Sequence, residues 1–280
     1  MKRQKYWAQL FGIVTMLALM TVNASATGPR IKQDLFAPNT NSIYALDFPP
    51  FISTELPDGG LATALTHTML EADHVDAPIT TLPLARMLKY YLTQENALAL
   101  IGNHLSFSAE AQKELIFVPI LRLKQYYYVH QSKHPQGLPW KGELQTLTNY
   151  VYGANPEQDV SRLQKAGILI ETGKLLTLLE KLQTGQIDFL GENELAVDWF
   201  LQRNLATDKA RFIRLEPMSG EDTVYVIFNK KHPQGETMAK QFQARLATMV
   251  TNGQYQALLE KQLGGAQAVE RHTLPLTPSR

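Results

Sequence analysis

The chain has 280 residues, 27 basic and 26 acidic side chains, a formal net charge of +1 and no cysteine. That balance excludes the strongly basic surface of a nucleic-acid binder and the basic patch of an electrostatic membrane binder. Without disulfide staples the fold must rest on buried apolar area, which this length supplies as one large domain or as two lobes.

The first element is an export signal. Lys2, Arg3 and Lys5 precede the apolar run Leu10–Val22, and Ala24-Ser25-Ala26 is an A-x-A site of small residues. This is the three-part pattern of a cleaved secretory signal peptide over residues 1–26. The run is short for a membrane span of roughly 20 residues, although an uncleaved anchor is the alternative. Cleavage removes three basic and no acidic residues, so 27 against 26 becomes 24 against 26. The expected location is the periplasm, with no membrane insertion after cleavage.

Strand-like and helix-like segments then alternate. SIYALDF (Ser42–Phe48) reads as a strand stopped by Pro49-Pro50, and PDGG (Pro57–Gly60) as a turn. A helix follows over Leu61–Ala72 and a short strand over Pro78–Leu82. Leu84, Met87, Leu88, Tyr91 and Leu92 form one apolar helical face. ALALIG (Ala97–Gly102) has the continuous apolar character of a buried parallel strand. Ser108 is placed to cap a short helix through Glu114.

A second series follows: strand Leu147–Gly153, helix Pro156–Ala166, helix Leu175–Thr184 stopped by Gly185, strand Ile187–Gly191, helix Glu194–Arg203 and strand Ala210–Leu215. Helical spacing resumes after Gly235 and runs to Leu263, broken at Asn252-Gly253. The Pro-rich end is expected to fray. Alternating strands and helices predict an α/β fold with mostly parallel sheets.

KHPQG occurs twice, at Lys133–Gly137 and Lys231–Gly235, each time after an aromatic, β-branched run. One reading is that the chain leaves the first lobe through YYYVH (Tyr126–His130) and returns through VYVIF (Val224–Phe228). The two strands would then cross side by side as a hinge, each ending in a His-Pro-Gln-Gly turn. The other reading is coincidence between two surface loops. Either way the motif reads as turn chemistry.

The order of segments resembles extracellular solute-binding proteins of family 3, which have the periplasmic-binding-protein type II fold. The resemblance runs from Ser42 to Leu263. It is carried by YALDFPPF (Tyr44–Phe51) with the DGG-led helix, PLAR (Pro83–Arg86) and FSAEAQKELIF (Phe107–Phe117). LLEKLQTGQIDFLGENE (Leu178–Glu194) and TNGQYQALLEKQLG (Thr251–Gly264) complete it. It implies two mostly parallel sheets flanked by helices and joined by a two-strand hinge. The implied division is a first lobe over 27–124 and 224–265, a second lobe over 125–223, and a flexible tail over 266–280. It also implies capture of a small polar solute by hinge closure, on behalf of an inner-membrane ABC-type permease. A ligand-sensing or partner-docking module working with a sensor protein is the alternative. No cofactor is implied, and a monomer is expected.

Two recognition charges that the resemblance leads one to expect are absent. The arginine that holds an α-carboxylate falls on Ala111, and the aspartate that holds the amine, five residues beyond Asp188, falls on Asn193. Neither alanine nor a neutral amide replaces these groups, so the ligand is expected not to be an ordinary α-amino acid. The candidate ligand-binding residues are Phe48, Phe51, Arg86, Asn103, Ser106, Asn155, Glu192 and Asn193. The aromatics offer stacking faces. Gly153-Ala154-Asn155 would lead into a helix N-terminus suited to an anion or carbonyl. Inward-facing Glu192 and Glu194 would favour a cationic ligand.

Catalysis is not expected. A dehydratase-like role would need Glu192, Glu194 or Asp47 as acid or base, and none has an evident partner. No nucleophile elbow, phosphate loop or HExxH motif occurs. His130 and His134 lack the one-face geometry of a helical metal pair.

Overall fold

The computed structural model describes residues 41–71, 75, 77–93, 97–103, 107–156 and 158–276. The expected signal peptide and Ser106 lie outside these residues.

The first half of the chain builds β1 (Ser42–Ala45), α1 (Leu61–Glu71), β2 (Ile79–Thr81), α2 (Leu84–Thr93), β3 (Ala97–Gly102) and α3 (Ala109–Gln112). β1 lies between β2 and β3, parallel to both. Ala97–Ile101 is buried throughout, which is why this strand reads as a continuous apolar run. On α2 the buried residues are Met87 and Tyr91, while Leu92 is 41% exposed, so the apolar face is narrower than its spacing suggests. The Ser108 side chain accepts a hydrogen bond from the Ala111 N–H and caps α3.

The rest comprises β4 (Leu115–His130), β5 (Val151–Ala154), α4 (Ser161–Lys165), β6 (Leu169–Thr172), α5 (Leu175–Gln183), β7 (Phe189–Asn193), α6 (Glu194–Asn204), β8 (Phe212–Arg214) and β9 (Gly220–Asn229). α7 (Gly235–Thr251), α8 (Gln254–Leu263), α9 (Ala266–His272) and β10 (Thr273–Leu274) end it. Sheet order is β2-β1-β3-β9-β4-β7-β5-β6. The outer pairs β1–β2, β1–β3, β5–β6 and β5–β7 are parallel, and the central pairs β3–β9, β4–β9 and β4–β7 are antiparallel. Two parallel half-sheets are thus joined through antiparallel strands into one hydrogen-bonded path.

β4 carries the junction. Leu115–Gln125 pairs with β9, whereas Gln125–Tyr128 pairs with β7 and Tyr128–His130 with β8. The chain therefore crosses between halves at Leu121–Gln125, opposite Gly220–Val224, and Tyr126–His130 already belongs to the second half. The crossing lies before YYYVH rather than within it.

β4 and β9 are antiparallel, so the two KHPQG copies lie at opposite ends of the molecule and do different jobs. In the first, Gly137 has φ +81°, a left-handed conformation. Lys133 Nζ and His134 Nε2 reach Asp188 Oδ1 at 2.8 and 2.6 Å, clamping the turn to the residue before β7. Burial alone would raise the Asp188 carboxyl; hydrogen bonds from Lys133, the Val151 N–H and His134 hold it below the usual range. In the second copy Gly235 begins α7 against β9, where an added Cβ would overlap the Asn229 carbonyl oxygen.

Two expectations are corrected. The helix expected over Pro156–Ala166 is reduced to α4, because Asp159 Oδ1 accepts the Ser161 N–H at 2.9 Å and the chain before it forms a loop. The tail expected to fray is ordered through Leu276. There α9 and β10 fold back on the centre of the sheet, with Thr273 and Leu274 opposite Leu123 and Arg122 of β4. Arg122 and Leu123 also pair with β9, so β10 occupies the other edge of β4, in line with β7.

The largest core cluster runs through both halves, including Ile43, Leu65, Leu121, Leu179, Ala196 and Phe228. Each half has its own further cluster. One is built around Tyr91 and Phe107, the other around Tyr127, Trp140 and Phe189, with the Tyr127 and Trp140 rings edge-to-face at 4.7 Å.

Candidate functional site

A cleft of about 310 Å³ opens where the two halves meet. That falls at the small end of typical ligand sites. Its walls differ in character. The first half contributes Leu46, Phe48, Phe51, Ile52, Met87 and Ile101, all apolar, with Gly102 and Asn103 at the end of β3. The second half contributes Asn155, Gln158, Asp159, Glu192 and Asn193. The crossing strands supply Leu123, Gln125, Glu221, Asp222 and Val224.

The apolar wall follows from local structure. After β1, Phe48 and Ile52 exchange backbone hydrogen bonds (Phe48 N–H to Ile52 O, 2.8 Å; Ile52 N–H to Phe48 O, 3.0 Å). This tight turn stacks the two phenylalanine rings, 5.7 Å between centroids and 23° between planes. Phe51 is 2% exposed and anchors the stack in the core, while Phe48 is half-buried.

The polar wall carries the charge. Glu192, the residue before the end of β7, lines the cleft. Burial raises its carboxyl to about 7 against the opposing Asn193 N–H hydrogen bond, and the nearby Asp222 carboxylate adds to the rise. Glu221 is turned to Arg122, with Oε2 2.7 Å from Nη2, so its charge is matched. Among the described lining residues there is no lysine or arginine.

Of the sequence candidates, Phe48, Phe51, Asn103, Asn155, Glu192 and Asn193 line this cleft. Arg86 does not. It is exposed on α2, one residue and a turn of about 100° from Met87, which does line the cleft. Asn193 is 2% exposed and its side chain is employed elsewhere: Oδ1 caps α6 by accepting the Leu195 N–H at 2.9 Å, and Nδ2 donates to Lys124 O at 2.8 Å. The anion site expected after Gly153-Ala154-Asn155 has no helix start behind it, since α4 begins only at Ser161. In its place the loop presents Asp159, an acid. Glu194 faces away from the cleft toward Arg214 and Arg271, and Asp47 is exposed outside it. His130 and His134 are held apart by Asp208 and Asp188.

Sequence reasoning missed Gln125, Gln158, Asp159 and Asp222. Gln125 directly precedes YYYVH, and Asp222 lies just ahead of VYVIF. Their positions beside the crossing strands were the available signal.

No protein-family model matches the sequence, and no curated protein matches it. Solved structures do resemble it. A probable amino-acid ABC transporter extracellular-binding protein from Bacillus subtilis has a TM-score of 0.63 at 18% identity, over 81% of this chain and 98% of that one. An arginine transport-system periplasmic binding protein from Legionella pneumophila has a TM-score of 0.62 at 15% identity, over 80% and 99%. A histidine kinase sensor domain with similarity to periplasmic binding proteins has a TM-score of 0.61 at 16% identity, over 80% and 96%. With likeness of this extent at such identities, the chain has the two-lobed periplasmic-binding-protein type II fold.

Proposed function

We propose that this chain is an exported solute-binding protein that captures a small polar molecule between its lobes by hinge closure and presents it to an inner-membrane ABC-type permease. The observation that carries this reading is the cleft itself, lined from both half-sheets and floored by the two crossing strands. A ligand touching both walls stabilises the closed arrangement by contacts available only there. The scattered placement of Glu192, Glu194 and Asp47 supports binding rather than catalysis. The reading includes cleavage after Ala26, a periplasmic location and a monomeric state. It also excludes an ordinary α-amino acid as ligand: Ala111 sits on α3 where an arginine would be needed, and Asn193 is committed to capping α6.

The test is to express the chain with its own leader and recover it from the periplasm. Thermal unfolding is then followed against amino acids, polyamines, organic acids, sugars and peptides. A ligand at about 100 times its dissociation constant adds roughly 2.7 kcal/mol and raises the midpoint. The expected result is a rise with one chemical class and a mature N-terminus at Thr27. No rise with any class would overturn the transport reading.

A further inference from the structure

The two walls of the cleft call for two different ends of one ligand. One wall is aliphatic and aromatic, and the Phe48 ring is left half-buried on it. The facing wall and floor bring Asp159, Glu192 and Asp222 to the same cavity, with the Asn103, Asn155, Gln125 and Gln158 amides among them. Glu192 and Asp222 are close enough to repel each other. The Arg122 guanidinium, one residue before the lining Leu123, is bound to Glu221 and to the Pro275 carbonyl at 2.9 Å. Lys124, beside Gln125 on β4, donates to the Glu270 carbonyl at 2.7 Å, on the side of α9.

We propose that the cleft selects an organic cation that carries no carboxylate, an ammonium or guanidinium head on an apolar body. The head is received between Glu192 and Asp222, and the body lies against Phe48, Ile52 and Met87. This rests on the solute-binding reading and names the ligand class for it. A cation between two like charges removes their repulsion and gains charge-assisted hydrogen bonds. The half-buried aromatic ring adds a cation–π and stacking face. A carboxylate on the same ligand enters a wall of acids with no arginine or lysine among the described lining residues to receive it, so it is repelled. The cavity of about 310 Å³ limits the ligand to small molecules.

The experiment is calorimetric titration of the exported chain at pH 8 with matched pairs differing only by a carboxylate: agmatine and arginine, cadaverine and lysine, phenethylamine and phenylalanine. Organic acids, sugars and short peptides complete the panel. The expected result is that a carboxylate-free cation binds best, at least tenfold tighter than its carboxylated partner, and weakens with added salt. Glu192→Gln and Asp222→Asn should each weaken it tenfold or more with the unliganded unfolding midpoint kept or raised. If the best ligand bears a carboxylate or lacks positive charge, the ligand class is overturned while capture in the cleft stands. If both folded variants bind the cation like the parent, the assigned acids are overturned. If nothing in the panel binds, the ligand class and the solute-binding reading fall together.

Discussion

Glu192 and Glu194 flank Asn193 at the junction of β7 and α6, yet they face opposite surroundings. Glu192 lines the cleft beside Asp222, and burial with that neighbouring charge raises its carboxyl to about 7. Glu194 faces the returning C-terminal segment, where Arg271 Nε and Arg214 Nη1 each reach its Oε2 at 2.9 Å. Burial alone would raise Glu194, but contacts from His272 and Arg271 and the charges of Arg214 and Arg271 outweigh it and hold the carboxyl at about 2. The arrangement exists because β10 and β7 share one edge of β4, which brings Arg271 and His272 to the start of α6.

The first prediction concerns pH. Glu194 is lowered from 4.5 to about 2, so its contribution to stability is present above pH 4.5 and is lost as pH falls toward 2. Glu192 is raised from 4.5 to about 7, so it imposes no penalty below pH 4.5, a growing one between pH 4.5 and 7, and the full one above 7. Glu192→Gln should therefore stabilise the unliganded protein by about 2 kcal/mol at pH 8 and change nothing at pH 4. Urea unfolding at both pH values measures this, and equal effects at the two would refute it.

The C-terminal segment should contribute to stability through Arg271. Its side chain is 59% exposed, so solvent screening limits its pair with Glu194, and Arg214 remains when it is removed. Arg271→Ala should cost about 1 kcal/mol. Glu194→Ala should cost about 3 kcal/mol, since it leaves Arg271 without its acid beside the Arg214 guanidinium, which keeps only Glu216 at 2.6 Å. A double-mutant cycle in urea gives the coupling. A coupling of zero would mean that Arg214 alone satisfies Glu194.

The two copies of KHPQG should respond differently to the same substitution. Gly235→Ala places a methyl group against the Asn229 backbone carbonyl, which cannot move without disturbing β9, and should cost about 3 kcal/mol or prevent folding. Gly137→Ala forces a left-handed residue and meets the flexible end of Leu215 at 3.1 Å, which should cost about 1 kcal/mol. Chemical unfolding of both variants decides it. Equal losses would show that the copies are structurally equivalent after all.

Capture of an organic cation should strengthen as pH rises from 6 to 8, because Glu192, raised to about 7, loses its proton in that window. Titrations in buffers of different ionisation enthalpy should show proton release on binding near pH 7. In Glu192→Gln both the pH dependence and the release should disappear. Affinity that is flat across the range would mean that Glu192 does not receive the head group.

The alternation of elements was legible along most of the chain, because buried parallel strands such as Ala97–Ile101 and amphipathic helices such as α5 write their burial into local spacing. β6 was not legible. LIET lies at the sheet edge with Leu169 68% exposed, so no alternation marks it. Phe48, Phe51, Asn103, Asn155 and Glu192 were legible as cleft residues because they follow or end core strands. Arg86 was misplaced because the side of a helix that a polar residue takes depends on what packs against its neighbours.

By itself, then, the sequence determined the α/β alternation, the order of its elements and the turn at each KHPQG. These are matters of local backbone preference, apolar periodicity and residue identity. Only the tertiary structure decided that the last residues fold back onto β4, that Asn193 is committed to capping α6, and that Glu192 and Glu194 face opposite ways. Each of these depends on strand register and on which edge of a strand is already occupied, and hydrogen bonding between residues far apart in the chain settles both.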